Sequence, residues 1–184
     1  NDSIPDEMIP TDVPLDTPVT IIGVAKRVDK VTQNADGSFE VVFEINVENF
    51  GNTTLTDVQV TDDLVAAFPA PCTPVVMSLT SDDFTVNSPA YDGDSDMNLL
   101  TGGDDLPVGD KGAILLTVNV AGCGPEDGPF SNIAVGTATG PNDTMVMDTS
   151  TMGSDPDPNN DSIPDEMIPT DVPLDTPVTI IGVA

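Results

Sequence analysis

The sequence predicts an all-β protein, and three observations carry that prediction. Apolar and polar residues alternate over several short stretches, 18 prolines and 15 glycines punctuate the chain, and no long segment repeats its apolar residues at helical spacing. The 184 residues are 38% hydrophobic but only 4% aromatic, with no Trp. A core built mostly from Val, Ile, Leu and Ala on pleated strands is expected.

The elements follow in order. Residues 19–31 form an apolar run that carries three of the four basic residues, Lys26, Arg27 and Lys30. These are expected at a rim, in ion pairs of small individual value. Asn34 to Gly37 is a turn. Phe39, Val41, Phe43, Ile45 and Val47 then alternate with polar neighbours, the pattern of a half-buried strand. Asn49 to Asn52 turns the chain into a strand over 55–64, where Val58 and Val60 face one way and Gln59 and Thr61 the other. Residues 67–98 read as loop-rich and receive no strand. After a turn over 105–112, Ile114, Leu116, Val118 and Val120 alternate again. The last strands, 130–139 and 143–149, flank Gly140-Pro141-Asn142. About seven antiparallel strands in roughly 135 residues fit an immunoglobulin-like β-sandwich.

The decisive organisational feature is a repeat. Residues 1–25 read NDSIPDEMIPTDVPLDTPVTIIGVA, and residues 160–184 read the same letter for letter, which sets a period of 159 residues. A tandem array of sandwich domains is expected, because the unit is too large for a solenoid repeat. The chain then reads as an interior piece of a longer protein whose targeting signals lie elsewhere. Residues 1–16 are the linker from a preceding repeat, 17–152 the sandwich, 153–176 a Pro/Asp-rich linker, and 177–184 the first strand of the next repeat. Pro164, Pro169, Pro173 and Pro177 fix φ and remove donors, so the linker is expected to run as a stiff extended spacer of roughly 70 Å.

Four basic against 32 acidic residues leave a formal charge of −28. Such a chain repels phosphate backbones and anionic lipid, so no nucleic-acid partner is expected. No run of apolar residues is long enough to span a bilayer, so no direct membrane insertion is expected. Divalent cations or high salt would relieve the self-repulsion. Cys72 and Cys123 lie in turn-like Pro-Cys-Thr-Pro and Gly-Cys-Gly-Pro contexts. With no His in the chain, a zinc site or a Cys-His pair is excluded. A disulfide between the two is expected over a pair of buried thiols. By chain entropy it would contribute about 4 kcal/mol.

The string KRVDKVTQNADGSFEVVFEINVENFGNTTLTDVQVTDDL resembles the conserved repeat domain of very large bacterial surface proteins. Asn49, Gly51, Asn52, Thr53, Leu55, Val58, Asp62 and Leu64 match that domain's N-GN--l--V-v-D-L run. Leu99, Leu100, Gly102, Asp105, Leu106 and Gly109 match its LL-G-D-L--G piece, and the ending GPFSNIAVGTATG is similar as well. The resemblance covers nearly all of residues 17–152. It implies an immunoglobulin-like fold and a secreted, cell-surface location, and it carries no catalytic residues. Proteins of this kind are often exported by the type IX route, and some form extracellular filaments that catch prey or surfaces.

The strongest chemical motif runs from Asp157 to Glu166. Side-chain oxygens of Asp157, Asn159, Asp161 and Asp165, with the Ile163 carbonyl, stand at spacings that can wrap a hard cation needing six to eight oxygens. The pattern is similar to thrombospondin type 3 calcium repeats, with Ser162 in place of their usual Gly and Ile168 where a last acid would stand. Ca2+ is therefore the expected cofactor, against the plain reading of a solvated acidic linker. Asp2 and Asp6 are the repeat copies of Asp161 and Asp165. A weaker set is Asp92, Asp94 and Asp96, for which turn chemistry alone is a sufficient account. Asp62 closes a strand near a domain pole, where it could bind an ion or simply end a turn.

No phosphate loop, nucleophile elbow or His-based site is present, so an enzyme is not expected. The reading is a structural or adhesive repeat, rigidified by calcium, that attaches to a surface or prey-cell ligand. Its partners are copies of itself, with strand Thr17–Ala25 able to swap between copies into a homo-oligomer. A calcium-dependent glycan-binding module and an inert spacer presenting a distal domain are the rival readings.

Overall fold

A computed structural model describes residues 17–175. The protein is mostly β-structure. Its elements are β1 (Ile22–Gln33), β2 (Phe39–Asn49), β3 (Leu55–Asp62), the short helix α1 (Leu64–Ala67), β4 (Thr73–Thr80), β5 (Asp104–Leu106), β6 (Lys111–Ala121), β7 (Phe130–Asn132), β8 (Ala134–Gly140), β9 (Thr144–Thr149), β10 (Thr151–Met152) and β11 (Thr170–Val172). A five-stranded sheet has the order β10-β1-β2-β6-β4, a four-stranded sheet the order β5-β3-β8-β9, and β11 pairs with β7 alone. All neighbours are antiparallel except β10, which runs parallel to β1.

The alternation legible in the sequence becomes the inner face of the larger sheet. Phe43 pairs with Leu116, Ile45 with Ile114 and Val41 with Val118, and all six side chains are buried. Leu55, Val58, Val60, Ala134 and Ala138 of the second sheet belong to the same apolar cluster. Each large aliphatic or aromatic side chain buried there stabilises the fold by about 1.5–3 kcal/mol.

The strand expected over 55–64 stops at Asp62, because Asp63 caps α1 by accepting the Ala66 N–H at 2.8 Å. Residues 67–98, read as loop, contain β4. This edge strand buries only Leu79 and exposes Val75 and Met77, so the burial pattern that marks a strand is weak there. Cys72 and Cys123 are joined in a disulfide with Cα atoms 4.9 Å apart, tying the start of β4 to the end of β6.

Lys26 is not at a rim. It is fully buried, its ammonium donates to Asp62 Oδ2 at 2.5 Å, and it lies 4.5 Å from the centre of the Phe43 ring. Burial lowers the Lys26 pKa, and the charge of Asp62 opposes that shift. Arg27 keeps the expected surface role, paired with Glu44 and Asp29.

The Pro/Asp-rich segment that was expected to extend as a spacer instead lies along the domain. The Gly153 N–H and the Thr170 hydroxyl both donate to the Lys26 carbonyl, at 2.9 and 2.7 Å. Pro156 covers Gly23, where an added Cβ would meet Phe50 at 2.6 Å and Pro156 at 2.9 Å. Asp171 pairs with Ser131, and Val172 and Leu174 are buried in the core at 3% and 2% exposure. The reason is a short alternation hidden among prolines: Thr170, Val172 and Leu174 point inward, Asp171 and Asp175 outward. Pro169 and Pro173 flank the three-residue strand, where a missing N–H costs the ladder nothing.

Candidate functional site

The chain enters and leaves the domain at opposite ends. At the first end, the β2–β3 turn holds the entering segment. Asn52 Oδ1 accepts the Val19 N–H at 2.7 Å, and the Asn52 amide donates to the Thr17 carbonyl at 3.1 Å. Asn49 organises this turn, donating to Thr53 O and Leu106 O while accepting the Gly51 N–H. At the second end, Phe68, which follows α1, meets Phe130 of β7, with ring centres 5.7 Å apart. Val172 and Leu174 pack there, beside Pro125, Pro129 and Phe130.

The acidic loop of residues 155–166 begins near the first end, where Asp155, Pro156 and Asp157 lie beside Glu48 and Phe50. Asp157, 5% exposed, is its hub: one carboxylate oxygen accepts the Asp161 N–H at 3.2 Å and the other the Ser162 N–H at 2.8 Å. Asn159 Oδ1 also accepts the Asp161 N–H, and Asp161 Oδ1 accepts the Ile163 N–H. The Ile163 carbonyl accepts from the Asp165 N–H at 2.9 Å. Left-handed φ values at Asn160 (60°) and Ser162 (67°) curl the loop. Asp157, Asn159, Asp161 and Ile163 are thus brought into one compact turn with their oxygens directed at main-chain donors. Among the described residues, no three His, Cys, Asp or Glu side chains stand close enough to hold one ion between them. A calcium site also draws on amide and main-chain oxygens, and this loop supplies both.

Two carboxylates that sequence reasoning missed lie nearby. Both Glu166 carboxylate oxygens are buried and have no hydrogen-bond partner among the described residues. Asp148, on β9, is 8% exposed and accepts the Val24 N–H at 2.6 Å. Burial pushes the Asp148 pKa up to about 6, with the charges of Glu166 and Asp165 adding to the shift. Burying carboxylates without a cation is costly. No spacing rule links Asp148 to Glu166; the pairing exists only because the tail folds back.

The other acids have local roles. Asp92 accepts N–H bonds from Asp94 and Asp96 and a hydroxyl from Ser95. These donors, Ser95 first, hold its pKa at about 2. Asp96 accepts from Asn87 and Asn98. Asp94 donates its N–H to Asp92. Gly93, at φ +72°, sits so close to Leu64 that a Cβ would meet it at 2.5 Å. This loop is closed by its own turn chemistry. Asp62 is 1% exposed and engaged with Lys26, so it faces the core and not the solvent at a pole. Asp2 and Asp6 lie outside the described residues. Among the described residues, no helix is long and apolar enough to cross a membrane.

In comparison with known proteins, the chain matches no family model and no curated sequence.

Proposed function

We propose that this chain is a structural, adhesive repeat of a secreted bacterial surface protein or extracellular filament, with immunoglobulin-like sandwich domains in series, rigidified by Ca2+. The observation that carries the reading is the 25-residue repeat at residues 1 and 160, combined with a chain that enters at one end of the domain and leaves at the other. Domains strung this way form a rod, and a rod suits reach and attachment better than catalysis. Resemblance to large bacterial surface repeats and a disulfide suited to an oxidising compartment support the same conclusion. Association with further copies, including exchange of strand Thr17–Ala25, belongs to this reading.

Calcium is supported by the donor set. Asp157, Asn159, Asp161 and Asp165, with the Ile163 carbonyl, offer oxygen donors that form no salt bridge among the described residues, and the buried Glu166 oxygens have no hydrogen-bond partner there. Bound calcium would neutralise these carboxylates and fix the tail against the domain.

The test is a melting-temperature titration with CaCl2 at constant ionic strength. Calcium is expected to raise the melting temperature, with saturation at millimolar concentration or below. The Asp157→Ala/Asp161→Ala variant should lose that response. A wild-type melting curve insensitive to calcium would remove calcium from the account.

A further inference from the structure

The same tail sequence occurs twice in this chain, but a single domain lies between the two copies. Residues 170–174 (TDVPL) pack against β7 at the second end, on the apolar surface that Phe130, Pro129 and Pro125 help to form. Three anchors hold them: the β11–β7 pairing, the Thr170 hydroxyl on the Lys26 carbonyl at 2.7 Å, and the buried side chains of Val172 and Leu174. Residues 11–15 are the identical TDVPL, so they carry every side chain and donor that this surface uses.

Residues 11–15 cannot serve their own domain. Leu15 stands four residues before Val19, which is fixed to Asn52 at the first end, so Leu15 can reach about 14 Å at most from it. The surface lies at the other end of β3, whose eight residues span about 25 Å.

We propose that the surface beside β7 is a receptor for this motif, and that residues 11–15 of one chain occupy this surface on a second copy whenever that copy's own residues 170–174 are withdrawn. Each chain is then a donor at its first end and an acceptor at its second, and association runs head to tail. In a tandem array the same contact is made within the chain. Only Asp175, Thr176 and Pro177 then separate one domain's last anchor, Leu174, from Val178, the copy of Val19 that the next domain grips. The junction is therefore at most three residues long, not a spacer. This inference rests on the repeat and the apolar surface, and not on calcium.

The test uses the full chain in EDTA. Val172→Asp/Leu174→Asp frees the surface and leaves residues 11–15 intact; its light-scattering mass is expected to rise above monomer with concentration. Adding Val13→Asp/Leu15→Asp should return it to monomer, as should excess peptide of sequence IPTDVPLD. A folded double variant that stays monomeric and ignores the peptide overturns the proposal. Should that variant not fold, Leu174→Ala decides by anisotropy with labelled IPTDVPLD. Binding at least tenfold tighter than to wild type, whose surface is covered, is expected; equal or absent binding overturns the proposal.

Discussion

Lys26 and Asp148 show how a residue's environment reverses its expected role. Lys26 sits among the basic residues of a very acidic chain, where a solvated surface position is the ordinary outcome. Its stem instead crosses the core, and its ammonium is matched to Asp62 and the Phe43 face. Asp148 is the opposite case, a carboxylate drawn inside with other acids beside it. Its folded-state pKa is raised from 3.8 to about 6, so the native state holds this proton more tightly than the unfolded chain does. The stabilising contribution is complete below the unfolded value of 3.8 and is lost as pH rises through about 6. In metal-free buffer, Asp148→Asn should therefore raise stability by about 1–2 kcal/mol at pH 7.5 and by almost nothing below pH 4. Urea unfolding at both pH values checks this. A loss of stability at pH 7.5 would mean that the ionised carboxylate is needed.

Among the elements, β4 and β11 depend most on what surrounds them. β4 is an edge strand with one buried side chain, Leu79, and the Cys72–Cys123 bond at its start fixes it to β6. The bond closes a separation of 51 residues, so its loss should lower stability by about 4 kcal/mol. Cys72→Ser/Cys123→Ser, compared with wild type by thermal unfolding, tests that value, and fluorescence probes near β4 should report its loosening first. β11 is three residues long and cannot stand alone. It exists because it pairs with β7, packs beside β1 and buries Val172 and Leu174 in the apolar core.

Over the whole molecule, a formal charge of −28 on 184 residues opposes compactness. The repulsion is concentrated where the tail folds back. There Asp165 and Glu166 lie near Asp148, while three of the four basic residues lie along β1. Screening alone should help. Raising NaCl from 50 mM to 1 M shrinks the Debye length to about 3 Å and should raise the melting temperature by several degrees even with EDTA present. A scanning-calorimetry salt series measures this, and a flat or falling trend would show that the acids are already compensated in the folded state. Calcium acts on the same repulsion at one place, which is why its titration belongs at fixed ionic strength.

The amino-acid pattern by itself determined the all-β class and the strands of the centre. In β2 and β6 every second residue is apolar, and such alternation has one low-energy outcome on a pleated sheet. It also determined the repeat, which no fold is needed to see, and the turn chemistry around Asn34, Asn49 and Asp92. Only the tertiary structure decided the fate of Lys26, the carboxylate neighbourhood of Asp148 and Glu166, and the course of residues 153–175. Each depends on groups far apart in the chain: Lys26 with Asp62, Val24 with Asp148, Thr170 with Lys26. Local sequence fixes backbone preference, and on that measure a proline-rich acidic tail reads as extended and free. Whether it docks depends on the apolar surface and the open Lys26 carbonyl that it meets, and those are assembled only when the sheets close.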